Sequence, residues 1–394
     1  MIFYGVGVAY PVVTVTEAVL CPGRASGRRA VVDGVSGRSI THAALADEVA
    51  PASAALTDSG IGPGDVVGLH LPDGPEFAVA LHALLAVGAV PLPLRAADPA
   101  ELLDNAGMRV MIAGSGPADR LLTVARAAGV ERVLGLGLGL GGRSGARTAA
   151  PNVRADPAHD TALAVRAGNG PPRVVRLTHA EVVAGLVRVA EAGLIGGDDI
   201  VLTALPFASA IGLNGVLNPV LRLGATVVAL PEAGRHDLLR AIQDHRVTVA
   251  VLPPPLVEAL ARGRTATHFD LGSLRAVVAA GGPLAAEDAR AAAARVGCPV
   301  RRAYGVAEAA GITHLNLWAD EEGALDSVGR GLPGVSWRIV HPRTRAVQPS
   351  YRRGELCVRV PAAAEPARWV PTGDAAFADD HERVFILGRL GPRS

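Results

Sequence analysis

Short apolar runs alternate with helix-period segments along most of this chain, and that alternation restricts its fold more than any other feature. Between residues 41 and 59, Ala44, Leu45, Val49, Ala52 and Leu56 recur at helical spacing, with Thr41 placed to cap the first turn. Gly64-Asp65 then turns into the run Val66–Leu71, a helix is expected over Glu76–Val87, and Ala89–Leu94 is the next strand. Ala100–Ala106 and Arg109–Ala113 repeat helix and strand. A second block, from Thr178 to His314, holds the runs Ile200–Leu205, Ala225–Leu230, Val247–Leu252 and Leu274–Ala279. Strands separated by helices read as βαβ units, whose crossovers produce a mostly parallel sheet. After Asp326 the texture changes to short runs bounded by turn residues, Ser336–Val340, Glu355–Val360 and Val384–Leu387, which reads as β-rich. The expected organisation is therefore α/β: one α/β subdomain over 1–170, a second over 171–320, and a β-rich subdomain over 321–394. Met1–Leu20 reads as a lead-in strand, and the Gly/Ser/Arg-rich stretch 135–150 as a loop or edge.

Composition narrows the function classes. Hydrophobic residues make up 49% of the 394 but aromatics only 3%, so the core must be built from Ala, Val and Leu. Lysine is absent and every basic side chain other than histidine is arginine, a usage that fits GC-rich coding. A net charge of +1 offers no electrostatic footprint for nucleic acid or a membrane surface. Cys21, Cys298 and Cys357 are scattered, without CxxC spacing, which suits buried thiols in a reducing compartment. No apolar run of about 18 residues occurs without Gly, Pro or charge, so a membrane span is not expected and the location expected is cytoplasmic.

Three familiar patterns fail. Gly137-Leu138-Gly139-Leu140-Gly141-Gly142 fits GxGxxG literally, but Arg143-Ser144-Gly145 begins no helix that could receive a pyrophosphate. The histidines show no HExxH spacing, and Ala208-Ser209-Ala210 lacks the glycines of a hydrolase elbow.

An ordered series of blocks carries more weight. It begins with Gly64-Asp65-Val66-Val67, Leu71-Pro72-Asp73-Gly74-Pro75-Glu76-Phe77 and Gly88-Ala89-Val90. Leu205-Pro206-Phe207 with Gly212-Leu213, Leu223-Gly224-Ala225, Pro253-Pro254, Ser273-Leu274-Arg275 and Gly281-Gly282-Pro283-Leu284 follow. Tyr304-Gly305-Val306-Ala307-Glu308, Ser327-Val328-Gly329, Gly354-Glu355-Leu356, Thr372-Gly373-Asp374 and Gly388-Arg389 complete the order. In this order the blocks resemble the adenylate-forming superfamily, in particular AMP-dependent acyl-CoA synthetases of the 4-coumarate-CoA ligase kind, from about residue 30 to the end. The resemblance implies the family's large N-terminal domain: two stacked α/β subdomains and a small β-rich one, with the ligand cleft where they meet.

It also implies an acid-activating protein that binds ATP or AMP with Mg²⁺ and forms an acyl-adenylate from a carboxylic acid. Gly281 and Gly282 would lie against the adenine and Tyr304, with Gly305 behind it, would stack on the base. Glu308 would hold the metal, Asp374 with Thr372 would take the ribose hydroxyls, and Arg389 would add a cationic donor. The acyl pocket would run past Phe207, Ser209, Gly212, Ala279 and Gly305, where small residues leave room for an aromatic or medium-chain acid.

The departures are specific. The family's phosphate loop falls on Val165–Val174, where the hydroxyls are gone and Arg173 stands for the lysine. Ser209 replaces a histidine, Ala307 a threonine and Ala280 a glycine. The family's lysine-bearing lid has no counterpart before Ser394. Those losses imply either an impaired enzyme with a lid or carrier protein supplied by another chain, or a catalytically degenerate binding or partner subunit on the same fold.

Overall fold

A computed structural model describes residues 2–3, 7–20, 27–114, 119–135, 153–168, 173–262, 268–317, 325–360 and 368–391, with the backbone alone at 119–120. The Gly/Leu tract of residues 137–142, Cys21 and residues 169–172 of the loop lie outside them.

The alternation of strands and helices builds two stacked sheets. The first is parallel, ordered Val90–Pro93, Val66–His70, Val110–Ala113, Arg132–Gly135. The second has nine strands among the described residues. Its parallel centre runs Val300–Val306, Ala276–Ala279, Val249–Leu252, Ile200–Thr203, Thr226–Ala229, Arg29–Asp33. Antiparallel strands close both ends: Ser39–Thr41 beside Arg29–Asp33, and Gly311–Leu315 then Arg330–Gly331 beside Val300–Val306. Residues 29–41 thus join a sheet otherwise built from residues 200–331.

Successive residues of these strands point to opposite faces. Val201, Val227, Val249 and Val278 face a core shared with Val67, Leu69 and Ile112 of the first sheet, filled by the helices Pro75–Ala86 and His179–Glu191. Leu202, Val228, Ala250 and Val277 face a second core, covered by the helices Arg235–His245, Pro254–Arg262 and Ala286–Val296. Both faces are apolar, which is why the strands read as unbroken Val/Ala/Leu runs. The fold is the predicted one: α/β, two stacked layers and a separate antiparallel sheet. That last sheet runs Ile2–Phe3, Ser336–Val340, Gly354–Arg359, Val370–Ala378, Val384–Arg389.

The lead-in strand is corrected. Among the described residues up to Leu20, Ile2–Phe3 is the one strand, and Val15–Val19 is a helix. Its cause is a capping box: Glu17 N donates to Thr14 Oγ1 at 3.3 Å and Thr14 N donates to Glu17 Oε2 at 2.8 Å. Among the described residues no helix is long and apolar enough to cross a membrane.

Candidate functional site

The strand Val300–Val306 ends where the two large layers meet the antiparallel sheet, and Tyr304 lies on it with Gly305 at a register irregularity. A 3₁₀ turn, Ala307–Ala309, presents Glu308 and then passes through Ala310 in a left-handed conformation, φ 55°. Such a backbone is costly for a residue with a Cβ, and two buried side chains hold it. Arg188 Nη2 donates to Ala309 O at 2.5 Å and Asn214 Nδ2 donates to Ala310 O at 2.7 Å.

From the antiparallel sheet, Asp374 on Val370–Ala378 lies directly across from Arg389 on Val384–Arg389. Arg389 Nη1 donates to Asp374 Oδ1 at 3.0 Å and to Thr372 O at 2.8 Å. Tyr304 Oη donates to Asp374 Oδ2 at 2.6 Å. Burial first, then the adjacent Asp374 carboxylate, pushes the Tyr304 hydroxyl well above its ordinary value, so it remains a donor. The hydrogen bond to Asp374 is the main cause that holds the Arg389 guanidinium above its usual range.

The turn carrying Asp374 is itself fixed. Thr372 Oγ1 donates to Leu356 O at 2.9 Å and accepts from Asp374 N at 3.1 Å. Gly373 N donates to Glu355 Oε1 at 3.1 Å, and buried Glu355 is paired with Arg345. Gly373 has φ 74°, and a Cβ there would lie 3.3 Å from the Arg389 guanidinium carbon, so only glycine fits without displacing Arg389.

Arg173 enters from the hairpin Thr161–Arg166/Val174–Thr178 and forms an ion pair with Glu308. The structure therefore joins Tyr304, Asp374, Thr372 and Arg389 in one hydrogen-bonded group, with the Arg173–Glu308 pair beside it. Gly281 and Gly282 follow the strand Ala276–Ala279, in a loop that Arg302 holds through Leu284 O.

The acyl-pocket residues are more dispersed. Ser209 Oγ donates to Pro206 O at 2.8 Å and accepts from Gly212 N at 2.9 Å, forming a tight knuckle in which a Cβ on Gly212 would collide with Pro206 O. Phe207 is wholly buried, its ring 5.2 Å from that of Phe77. Ala279 packs into the core on the other face of the nine-stranded sheet. A cavity of about 330 Å³ lined by Gly64, Gly88, Arg154, Asp160, Arg176 and His179 lies at the far end of the hairpin from Arg173.

Sequence reasoning missed four residues that build the site. Arg188 and Asn214 sit among apolar neighbours, and Glu355 was read only as part of a block. Asp73 was read the same way, yet its Oδ2 accepts from Phe207 N at 2.9 Å and so ties the knuckle loop to the first sheet. Burial, with Glu232 nearby, raises the Asp73 carboxyl to about 7.

Comparison with known proteins agrees with this fold. The AMP-binding enzyme family matches residues 21–365. The rice protein 4-coumarate–CoA ligase-like 9 is 31% identical over 422 residues, covering 96% of this chain and 75% of its own length. Among solved structures, the luciferase-like enzyme of the nonluminescent mealworm Zophobas morio superposes with TM-score 0.87 at 17% identity, over 99% of this chain and 100% of that one. The anthranilate CoA ligase AuaEII, solved with anthranoyl-AMP, gives TM-score 0.84 at 20% identity, over 96% and 78% of the two chains. With its ordered blocks, its stacked sheets and a match over most of its length, this chain belongs to the AMP-binding enzyme family.

Proposed function

We propose that the protein activates a carboxylic acid by adenylation. A carboxylate oxygen attacks the α-phosphorus of ATP, pyrophosphate leaves, and an acyl-adenylate results. A thiol such as that of CoA, the acceptor named for the curated relatives, then loses its proton, its thiolate attacks the acyl carbon, and AMP leaves as the thioester forms. In this reading Tyr304 and the Gly281-Gly282 loop receive the adenine, while Asp374 accepts from the ribose hydroxyls. Arg389 orients Asp374, and Arg173 is the cation that meets phosphate oxygens as charge develops on them. The Ser209–Gly212 knuckle and Gly305 border the acid.

The observation that carries the reading is the meeting of Tyr304, Asp374 and Arg389 beside the Arg173–Glu308 pair. These groups come from three separate parts of the chain and meet in one place. The test is pyrophosphate exchange into ATP, assayed with a panel of aromatic and medium-chain acids, on wild type and Asp374→Ala. Acid-dependent exchange that the variant loses supports adenylation. Nucleotide binding without exchange for any acid supports the second reading, a degenerate binding subunit, which the hydroxyl-free loop 165–174 favours.

A further inference from the structure

Glu308 is the carboxylate that would hold Mg²⁺ here, and the residues around it do not fit that ion. Magnesium requires near-octahedral oxygen ligation, drawn from carboxylates, phosphates and water. Glu308 Oε1 is instead engaged by Arg173 Nη2. The preceding residue is Ala307 and segment 165–174 contains no Ser or Thr, so neither supplies a hydroxyl ligand. The other acid of the cleft, Asp374, spends Oδ1 on Arg389 and Oδ2 on Tyr304. Among the described residues no group of three or more His, Cys, Asp or Glu is placed to hold a metal.

A guanidinium can do a bridging cation's work with different geometry. It is planar, permanently charged and carries five N–H donors, so one edge can bond a carboxylate while another bonds a phosphate. The Arg173 side chain is 62% exposed, and Glu308 is the one partner found for it among the described residues. We infer that Arg173, seated on Glu308, takes the place of a divalent cation at this site, so that the ligand is metal-free nucleoside triphosphate. This rests on the nucleotide reading above and narrows it to a ligand species. The pair is net neutral, so a tetra-anionic triphosphate meets no uncompensated carboxylate as it enters. Arginine at position 173 is essential to this arrangement, because an ammonium is a compact point charge that lacks the fork for spanning both partners.

Calorimetry of AMP and ATP, each in EDTA and in excess Mg²⁺, on wild type, Arg173→Ala and Glu308→Gln tests the inference. Wild type should bind free ATP at least as tightly as its magnesium complex. Arg173→Ala should lose about tenfold or more in free-ATP affinity, the scale of one charge-assisted contact. It should then prefer the magnesium complex, because Glu308 has been released. Glu308→Gln should keep the wild-type preference for free ATP. Arg173 is exposed, so its variant should fold, and an unchanged circular dichroism spectrum and melting temperature check that it does. A wild type that binds AMP but takes ATP about tenfold tighter with Mg²⁺ overturns this inference and leaves the nucleotide reading standing. A wild type that binds neither nucleotide in either buffer overturns both.

Discussion

Tyr304 Oη and Asp374 Oδ2 are joined by a 2.6 Å hydrogen bond that links the nine-stranded sheet to the antiparallel one across 70 residues of sequence. The bond couples the surface expected to stack on the base to the carboxylate expected to take the ribose. Tyr304→Phe keeps the ring and removes the donor. A hydrogen bond to a charged group is worth about 1.5–3 kcal/mol. The variant should lose that order of stability in urea unfolding, and AMP affinity should fall about tenfold. Unchanged values in both measurements would show that the two sheets are not coupled through this pair.

Gly373→Ala tests the turn that presents Asp374. Its φ of 74° and the 3.3 Å approach of Arg389 make any Cβ unfavourable. The expected cost is about 1–2 kcal/mol for a residue forced into the left-handed region. Because Arg389 must also shift, nucleotide affinity should fall by more than stability alone explains. Equal AMP binding in calorimetry by variant and wild type would contradict that coupling.

Asp73 gives a pH dependence with a definite sign. Its carboxyl sits at about 7 in the fold against an ordinary 3.8. The folded state therefore holds a proton that the unfolded chain has released between those values, so stability falls as pH rises from about 4 to about 7. Asp73→Asn keeps an acceptor for Phe207 N without the charge. It should match wild type near pH 4 and exceed it at pH 8 by roughly 1–3 kcal/mol, after discounting for partial exposure of the carboxyl. Parallel stability curves for the two proteins across that range would refute the shift.

Arg188 is fully buried: its Nη2 donates to Ala309 O and the Tyr10 hydroxyl lies beside the guanidinium, while Nε and Nη1 have no partner in hydrogen-bond geometry among the described residues. Burial, the largest influence, brings it down to about 10, so the charge persists at neutral pH. Replacing a poorly compensated buried charge by an apolar side chain is often neutral or stabilising. Arg188→Met should therefore melt no lower than wild type. It should still bind AMP roughly fivefold more weakly, since the loss of one bond to Ala309 O, about 1 kcal/mol, frees the turn that presents Glu308. Lower stability with unchanged AMP affinity would assign Arg188 to packing alone.

The layers of this protein can be read from its local chemistry. Thr41 caps the helix His42–Asp58 through Ala44 N at 3.1 Å, as its position before an apolar-periodic segment requires. Val201, Val227 and Val249 form buried strands because runs of β-branched residues bounded by turn signals have no other good solution. The Thr14-x-x-Glu17 box was equally local, and was obscured only by the apolar residues around it. The block order also pointed to Tyr304, Glu308, Asp374 and Arg389 as candidates for one site, and the structure joins Tyr304 and Arg389 through Asp374.

Pairing within that site is another matter. Nothing near Arg173 in the chain indicates that it meets Glu308, 135 residues away, or that Phe207 N finds Asp73, 134 residues away. Ser209 and Gly212 have the small volumes of a pocket wall, but that they are tied into a tight knuckle against Pro206 O is visible only in space. Propensity and periodicity act over a few residues and dictate strands, helices and caps. Ion pairing, desolvation and steric approach act over a few ångströms of space. Those distances exist only once the hairpin, the two stacked sheets and the antiparallel sheet have been brought together.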